Sequence, residues 1–350
     1  MISSKRVLVT GAGGFIGRWS VAPLLAKGYE VHAVLSGGAR SGDARAGDTR
    51  AGDTLSRDTR RGDTRSGVTP RNIPGELQGA TLQVADLLNE SEVDALLQRV
   101  APTHLLHFAW IATPGVYWQS ADNFRWLAAS EHLLHRFHAH GGVRAVMAGS
   151  CVEYDWSKGG VCEERSNLAD AAATLSAYAT AKIALQKTLA EFAKREHLSA
   201  SWGRIFFQYG PHEHPERLVP SVIRHLLLNQ EALCTHGRQI RSFLHVADVG
   251  AAFASLLDSE IQGPVNIGSD ERIALADLIE HIARQIGCPN LVRLGARSAP
   301  ADEPPLLVPD IRRLREEVQW QPRFTLSQGV TDTIAWWRGE LGSASLAEED

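Results

Sequence analysis

The chain is poor in cysteine. Its four thiols, Cys151, Cys162, Cys234 and Cys288, are scattered over 350 residues with no CxxC pair. That spacing argues against a disulfide framework and a cysteine metal site, and reduced thiols are expected. An excess of charge is missing too: 36 Lys and Arg stand against 40 Asp and Glu, for a net −4 at pH 7. Nucleic acid and acidic membranes, which bind through bulk positive charge, are therefore not expected partners. No uncharged apolar run approaches the ~18 residues of a membrane helix. Met1-Ile2-Ser3-Ser4-Lys5-Arg6 leads straight into a strand, without an apolar signal region. What is present, 44% hydrophobic and 22% charged residues, is ordinary for a soluble protein, and a cytoplasmic chain of two structural units is expected.

Strand and helix patterns alternate through the first half. Arg6–Thr10, Glu30–Leu35, Ala80–Val84, His104–Phe108 and Arg144–Ala148 are short apolar, strand-like runs. Helical patterns separate them at Phe15–Lys27, near Ser91–Arg99 and near Asn123–His140, and Gly28 ends the first of these. Apolar strands spaced by amphipathic helices predict an α/β fold with a parallel sheet covered on both faces. From Arg40 to Thr69 the pattern stops, and six copies of a five-residue unit such as RAGDT follow one another. Seven arginines and five aspartates there leave almost nothing to bury, so the tract is expected to be a mobile surface insertion without a ligand of its own.

Gly11-Ala12-Gly13-Gly14-Phe15-Ile16-Gly17 lies between the first strand and the first helix, with Gly11, Gly14 and Gly17 in G-x-x-G-x-x-G register. Small residues there let the backbone turn tightly and let a pyrophosphate approach the N–H groups at a helix start. In this position the motif predicts a Rossmann-type, doubly wound sheet that binds a dinucleotide. The second strand ends in Leu35-Ser36-Gly37-Gly38-Ala39-Arg40. It lacks the acid that usually selects NAD and has a hydroxyl and a guanidinium, which favours NADP. Asp86-Leu87 after the third strand is placed to meet the adenine, although Asp86 serves equally well as a helix N-cap.

Tyr178 and Lys182 are four apart at the start of a helix that runs through Glu191, and so share one face. A cation there is expected to lower the phenol pKa toward working pH and make Tyr178 a usable acid or base. The strand Arg144–Ala148 leads into Gly149-Ser150, at the carboxyl end where open α/β sheets bind ligands, and the Ser150 hydroxyl can share the substrate oxygen.

Together these residues resemble the extended short-chain dehydrogenase/reductase family of nucleotide-sugar epimerases, dehydratases and reductases. The likeness extends to His107-Phe108-Ala109, Asn123, Arg204–Pro211, Arg241–Val249, Val265–Gly268 and Trp320-Gln321-Pro322. It implies Ser150, Tyr178 and Lys182 as catalytic residues. The cofactor, NADP or else NAD, would be held by Gly11, Gly14, Phe15, Ile16, Gly17, Ser36, Arg40, Asp86, Leu87, Ala109, Asn123, Tyr178, Lys182 and Phe206. A nucleotide-sugar substrate would meet Trp110, Thr113, Ser150, Arg217 and Arg241, the arginines because a planar fork suits phosphate. Residues 1–203 would form the cofactor domain, with an insertion at 37–72. Residues 204–340 would form a smaller substrate part interleaved with it, and 341–350 a frayed tail. A homodimer is expected, with Leu185, Leu189 and Phe192 in a four-helix contact.

Departures from the family pattern narrow the reaction. Cys151 and Val152 stand where 4,6-dehydratases carry an Asp-Glu pair, which argues against elimination of water. Cys151 is one residue out of register with the cysteine of 3,5-epimerase/reductases and is expected to be a small buried residue. Phe207 and Ser242 replace the usual Asn and Asp of the phosphate site. A 4-ketoreductase resembling the CDP-abequose and CDP-paratose synthase type is the expectation. A 4-epimerase and a non-catalytic NAD(P) sensor or scaffold are the alternatives, and Tyr178→Phe separates enzyme from sensor. His132, His135 and His138 are expected on a solvated helix face rather than around a metal, Trp126 in the core, and Trp110 and Trp118 in the loop after the fourth strand.

Overall fold

The computed structural model describes residues 5–36, 74–169, 176–300 and 303–346. The repeat tract lies outside them, and Arg40 with it. The strands are β1 (Arg6–Thr10), β2 (Glu30–Leu35), β3 (Thr81–Val84), β4 (His104–His107), β5 (Arg144–Ser150), β6 (Gly160–Cys162), β7 (Ser199–Ile205), β8 (Phe207–Tyr209), β9 (Ala232–Leu233), β10 (Ile240–His245), β11 (Gly263–Ile267), β12 (Arg272–Ala274), β13 (Val292–Arg293) and β14 (Leu307–Pro309). The α-helices are α1 (Val21–Ala26), α2 (Glu90–Val100), α3 (Asp122–Ala139), α4 (Ala177–Glu196), α5 (Leu218–Leu227), α6 (Val246–Asp258), α7 (Leu275–Ile286) and α8 (Leu326–Leu346).

A seven-stranded sheet runs β11-β7-β5-β4-β1-β2-β3, parallel throughout. Val7, Leu8 and Val9 of β1 are buried on both faces, which is why the strand is a continuous apolar run instead of an alternation. Val21, Leu24, Val249 and Phe253 of α1 and α6 cover one face. Leu96, Leu134, Phe137, Leu185 and Leu189 of α2, α3 and α4 cover the other. Strand order reverses between β1 and β4, and the crevice beyond their carboxyl ends is where such sheets bind ligands.

A second sheet, β12-β10-β8, and two parallel pairs, β13-β9 and β14-β6, follow. Helices α5, α7 and α8 share a core with Tyr209, built on Val222, Ile279 and Val330. The chain does not divide cleanly at residue 203: β7 crosses it, and α6 and β11 return to the large sheet. Arg144 fastens that return, donating to the carbonyls of Leu256 (2.7 Å), Leu257 (2.8 Å) and Ile261 (2.8 Å) at and beyond the end of α6. No described helix is long and apolar enough to cross a membrane.

Four expectations are corrected. The first helix is shorter than Phe15–Lys27: a 3-10 turn at Gly17–Ser20 precedes α1, because Pro23 lacks an N–H and fits only the first turn of an α-helix. Asn89, not Asp86, caps α2 by accepting from the Ser91 N–H, while Asp86 accepts from Leu88 N–H in a local turn. Residues 341–346, expected to fray, continue α8; 347–350 lie outside the described residues. Leu185, Leu189 and Phe192, expected at a dimer contact, are buried in the chain's own core under α3. Trp126 packs against that core as expected.

Candidate active site

The glycine turn is set by close approach. Gly11 has φ +66°, and a Cβ there would stand 2.8 Å from Ala109 N. A Cβ on Gly17 would stand 2.2 Å from Gly11 O. Gly14 N–H donates to Gly11 O at 3.0 Å, while the N–H groups of Phe15 and Ile16 have no acceptor among the described residues. A turn pressed so tightly against the end of β4, with two N–H groups left without an acceptor, fits a dinucleotide pyrophosphate. Beneath it the Thr10 hydroxyl meets His107 Nδ1 at 2.7 Å, and His107 Nε2 meets the Ser130 hydroxyl at 2.9 Å. Burial, then the Lys182 charge, pushes the His107 pKa down to about 3, so the ring is a neutral strut joining β1, β4 and α3. Ser36 and Asp86 are exposed at the ends of β2 and β3, whereas Leu87, Ala109 and Phe206 are buried.

The structure brings Ser150, Tyr178 and Lys182 together. Ser176 caps α4 by accepting from Ala179 N–H at 3.1 Å, which starts the helix just before Tyr178. The Tyr178 phenol hydrogen-bonds the Ser150 hydroxyl. Lys182 is buried, donates to Ala148 O at 2.9 Å and lies 3.8 Å from the Trp110 ring centre, against 5.9 Å from the Tyr178 ring centre. The expected lowering of the phenol pKa is therefore overturned. Burial pushes Tyr178 well above its ordinary value, with the Ser150 bond pulling the other way. Lys182 is itself pushed down to about 7 by burial, which Glu153 opposes. Tyr178 thus holds its proton.

Aromatic rings wall the phenol. Tyr117 and Trp118 meet Tyr178 edge-on at 4.9 and 6.1 Å between centres, and Trp118 meets Trp156 at 6.4 Å. Asn123, expected on the cofactor, is used up in holding this loop: fully buried, it donates to Tyr117 O and Ser120 O and accepts from Trp110 Nε1. Thr113 is exposed, and its carbonyl starts the turn by accepting from Val116 and Tyr117 N–H.

Missed in the sequence was the anchor below Ser150. Glu153, 0% exposed, accepts from Ser150 N–H (2.7 Å), from Trp202 Nε1 (2.9 and 3.0 Å) and from Arg204 Nε (2.8 Å). Arg204 also donates to the Tyr154 hydroxyl, which donates to Asn266 Oδ1 at 2.7 Å on β11. Cys151 is the small buried residue expected, its thiol pushed up to about 12 by burial.

The two arginines assigned to phosphate differ. Arg217 is half exposed at the start of α5, with Nε 3.8 Å from Glu213. Glu213 is buried, and burial pushes its carboxyl up to about 8 against the pull of Arg217. Arg241 is 2% exposed, pairs with the partly exposed Glu303 at 2.9 Å and stacks over Phe207; the guanidinium is buried and engaged, not an open phosphate contact. Phe207 in place of the usual Asn supplies the ring that it lies on. His132 faces Asp94 and His135 packs on Phe192, and no metal-holding group of His, Cys, Asp or Glu occurs among the described residues.

The structure thus sets a Ser–Tyr–Lys cluster at the crevice of a Rossmann-type sheet. A profile described as the NAD dependent epimerase/dehydratase family matches residues 7–268, and the chain belongs to that family. It is 28% identical to UDP-glucuronic acid decarboxylase 1 of Xenopus tropicalis over 153 residues, 43% of this chain and 36% of that protein. It spans less than half the length of the first such decarboxylases that it matches. To GDP-L-fucose synthase 1 of Arabidopsis thaliana it is 24% identical over 269 residues, 72% of this chain and 82% of that protein. Its fold matches the UDP-glucose 4-epimerase of Thermus thermophilus in complex with NAD, with TM-score 0.74, 22% identity, and 95% and 99% of the two chains covered.

Proposed function

We propose that this protein is an NADPH-dependent 4-ketoreductase of an NDP-4-keto-6-deoxyhexose, of the CDP-abequose or CDP-paratose synthase type. The observation that carries the reading is Tyr178 itself. Reduction of a ketone consumes a proton, and burial keeps one on this phenol, beside Ser150. Bound NADPH would supply the hydride. Tyr178 would deliver the proton to the C4 oxygen, Ser150 would orient that oxygen, and Lys182 would move from Ala148 O toward the nicotinamide ribose. Elimination of water needs a second acid–base pair, and the residues after Ser150 offer none: Cys151 is buried with a raised pKa, Val152 is inert, and Glu153 is committed to Arg204 and Trp202. The acid-free end of β2 supports NADP over NAD. The aromatic wall of Tyr117, Trp118 and Trp156 suits the methyl of a 6-deoxy sugar. The nucleotide sugar is drawn from the relatives' names, and a homodimer remains an expectation of the family.

A 4-epimerase is the second reading, favoured by the fold match to an epimerase holding NAD. The test follows nicotinamide absorbance with NADPH or NADH while CDP-, dTDP- and GDP-4-keto-6-deoxyhexoses are offered in turn. Stoichiometric oxidation of NADPH with one of them supports the reductase. No net oxidation, with NAD released on denaturation, transfers the assignment to the epimerase.

A further inference from the structure

The charged side chain that folds back over the glycine turn is Arg18. Its Nη2 donates to Gly13 O at 2.6 Å and its Nε to Gly14 O at 3.1 Å. The same turn rests on the end of β2: a Cβ on Gly13 would stand 3.0 Å from Leu35 Cδ2, one residue before Ser36. Gly13, Gly14 and Ser36 are all exposed, while Arg18 itself is half-buried. The Nη1 edge of Arg18 has no hydrogen-bond partner among the described residues. Its one described counter-charge is Glu76, whose Oε1 is taken by His212 Nε2 at 2.8 Å.

A dinucleotide on this turn places its adenosine ribose beside the end of β2. We propose that Arg18 is the cation that binds the phosphate on that ribose and so selects NADP over NAD. The assignment rests on the NADP reading above. Two donors pin the side chain to the turn, leaving part of a planar fork, always charged, to meet phosphate oxygens at small entropic cost. A guanidinium that merely props the turn would serve both dinucleotides alike, and that difference is measurable.

Tryptophan fluorescence of the full chain is titrated with NADP+, NAD+, adenosine 2′,5′-bisphosphate and AMP, for the wild type and for Arg18→Met, Arg18→Lys and Arg40→Gln. The expected result is a loss of at least about tenfold in NADP+ and bisphosphate affinity for Arg18→Met. NAD+ and AMP should change less than about threefold, and Arg18→Lys should keep much of the preference because it keeps the charge. Equal losses for both dinucleotides would make Arg18 a prop of the turn and overturn the proposal. So would an intact NADP+ preference in Arg18→Met, with the loss appearing in Arg40→Gln. That outcome spares the NADP reading. A wild type without preference for NADP+ removes the reading, and the proposal with it.

Discussion

Tyr178 and Lys182 are four residues apart, yet each faces other groups more closely than it faces the other. The ammonium faces a carbonyl and an indole, and the phenol faces Ser150 and two aromatic edges. Removing the phenol oxygen in Tyr178→Phe should cut turnover, measured at saturating cofactor, by about 10²–10⁴-fold, the usual share of a positioned acid. A protein whose biological response survived that substitution would be a sensor. Lys182 makes a second prediction. Its pKa is near 10.4 unfolded and about 7 folded, so the unfolded chain binds more protons between those values and stability rises with pH there. Urea unfolding should show the wild type gaining on Lys182→Met from about pH 7 to about pH 10. A parallel pair of profiles would mean that the amine stays charged in the folded protein.

At the scale of the element, the short turn after β5 is held by side chains far away in sequence. Glu153→Gln would leave Arg204 unpaired inside the protein. Breaking such a buried pair costs about 3–5 kcal/mol, visible as a lower urea midpoint, and Ser150 should lose its register with Tyr178. Activity that survived with unchanged KM would show that Ser150 is held by other means. Arg144→Met would strand the carbonyl of Leu257 and take one donor from those of Leu256 and Ile261, which keep Ser259 and Ser201, at a cost of about 1–3 kcal/mol; an unchanged melting curve would mean that α6 is fastened elsewhere. These anchors also mark where sequence reading stopped. The glycine turn, Ser150 and the Tyr178–Lys182 spacing were legible because each lies within a few residues on one strand end or one helical turn. Glu153 finds Arg204 across 51 residues, Tyr154 finds Asn266 across 112, and Arg241 finds Glu303 across 62. No local periodicity encodes such pairings. The interior of α4 was ambiguous for a related reason: apolar Leu185 and Leu189 are equally suited to a partner chain or to the chain's own core, and only the packing of α3 decides.

Over the whole molecule, two buried titrations oppose each other. Glu213, about 4.3 unfolded and about 8 folded, holds a proton that the unfolded chain has lost, so its contribution falls as pH rises through that window. Glu213→Gln should therefore gain on the wild type between about pH 4.3 and pH 8, a window that Lys182 enters only above about pH 7. If the two urea profiles ran parallel, the carboxyl would be ionised in the folded state. The parallel sheet, its β1–β4 crevice and the two covered faces were legible from the alternation of apolar runs and helices. The return of α6 and β11 to that sheet was not, since an apolar run such as Val265-Asn266-Ile267 carries no mark of which sheet it joins. That return also orders events in time. As the chain leaves the ribosome, β7 remains an unpaired edge until residues 263–267 emerge. A nascent protein ending before them leaves the β11-side edge of β7 bare. A truncated product stopping at residue 262 should accumulate in aggregates or on chaperones, and the full chain should owe its release to its last quarter.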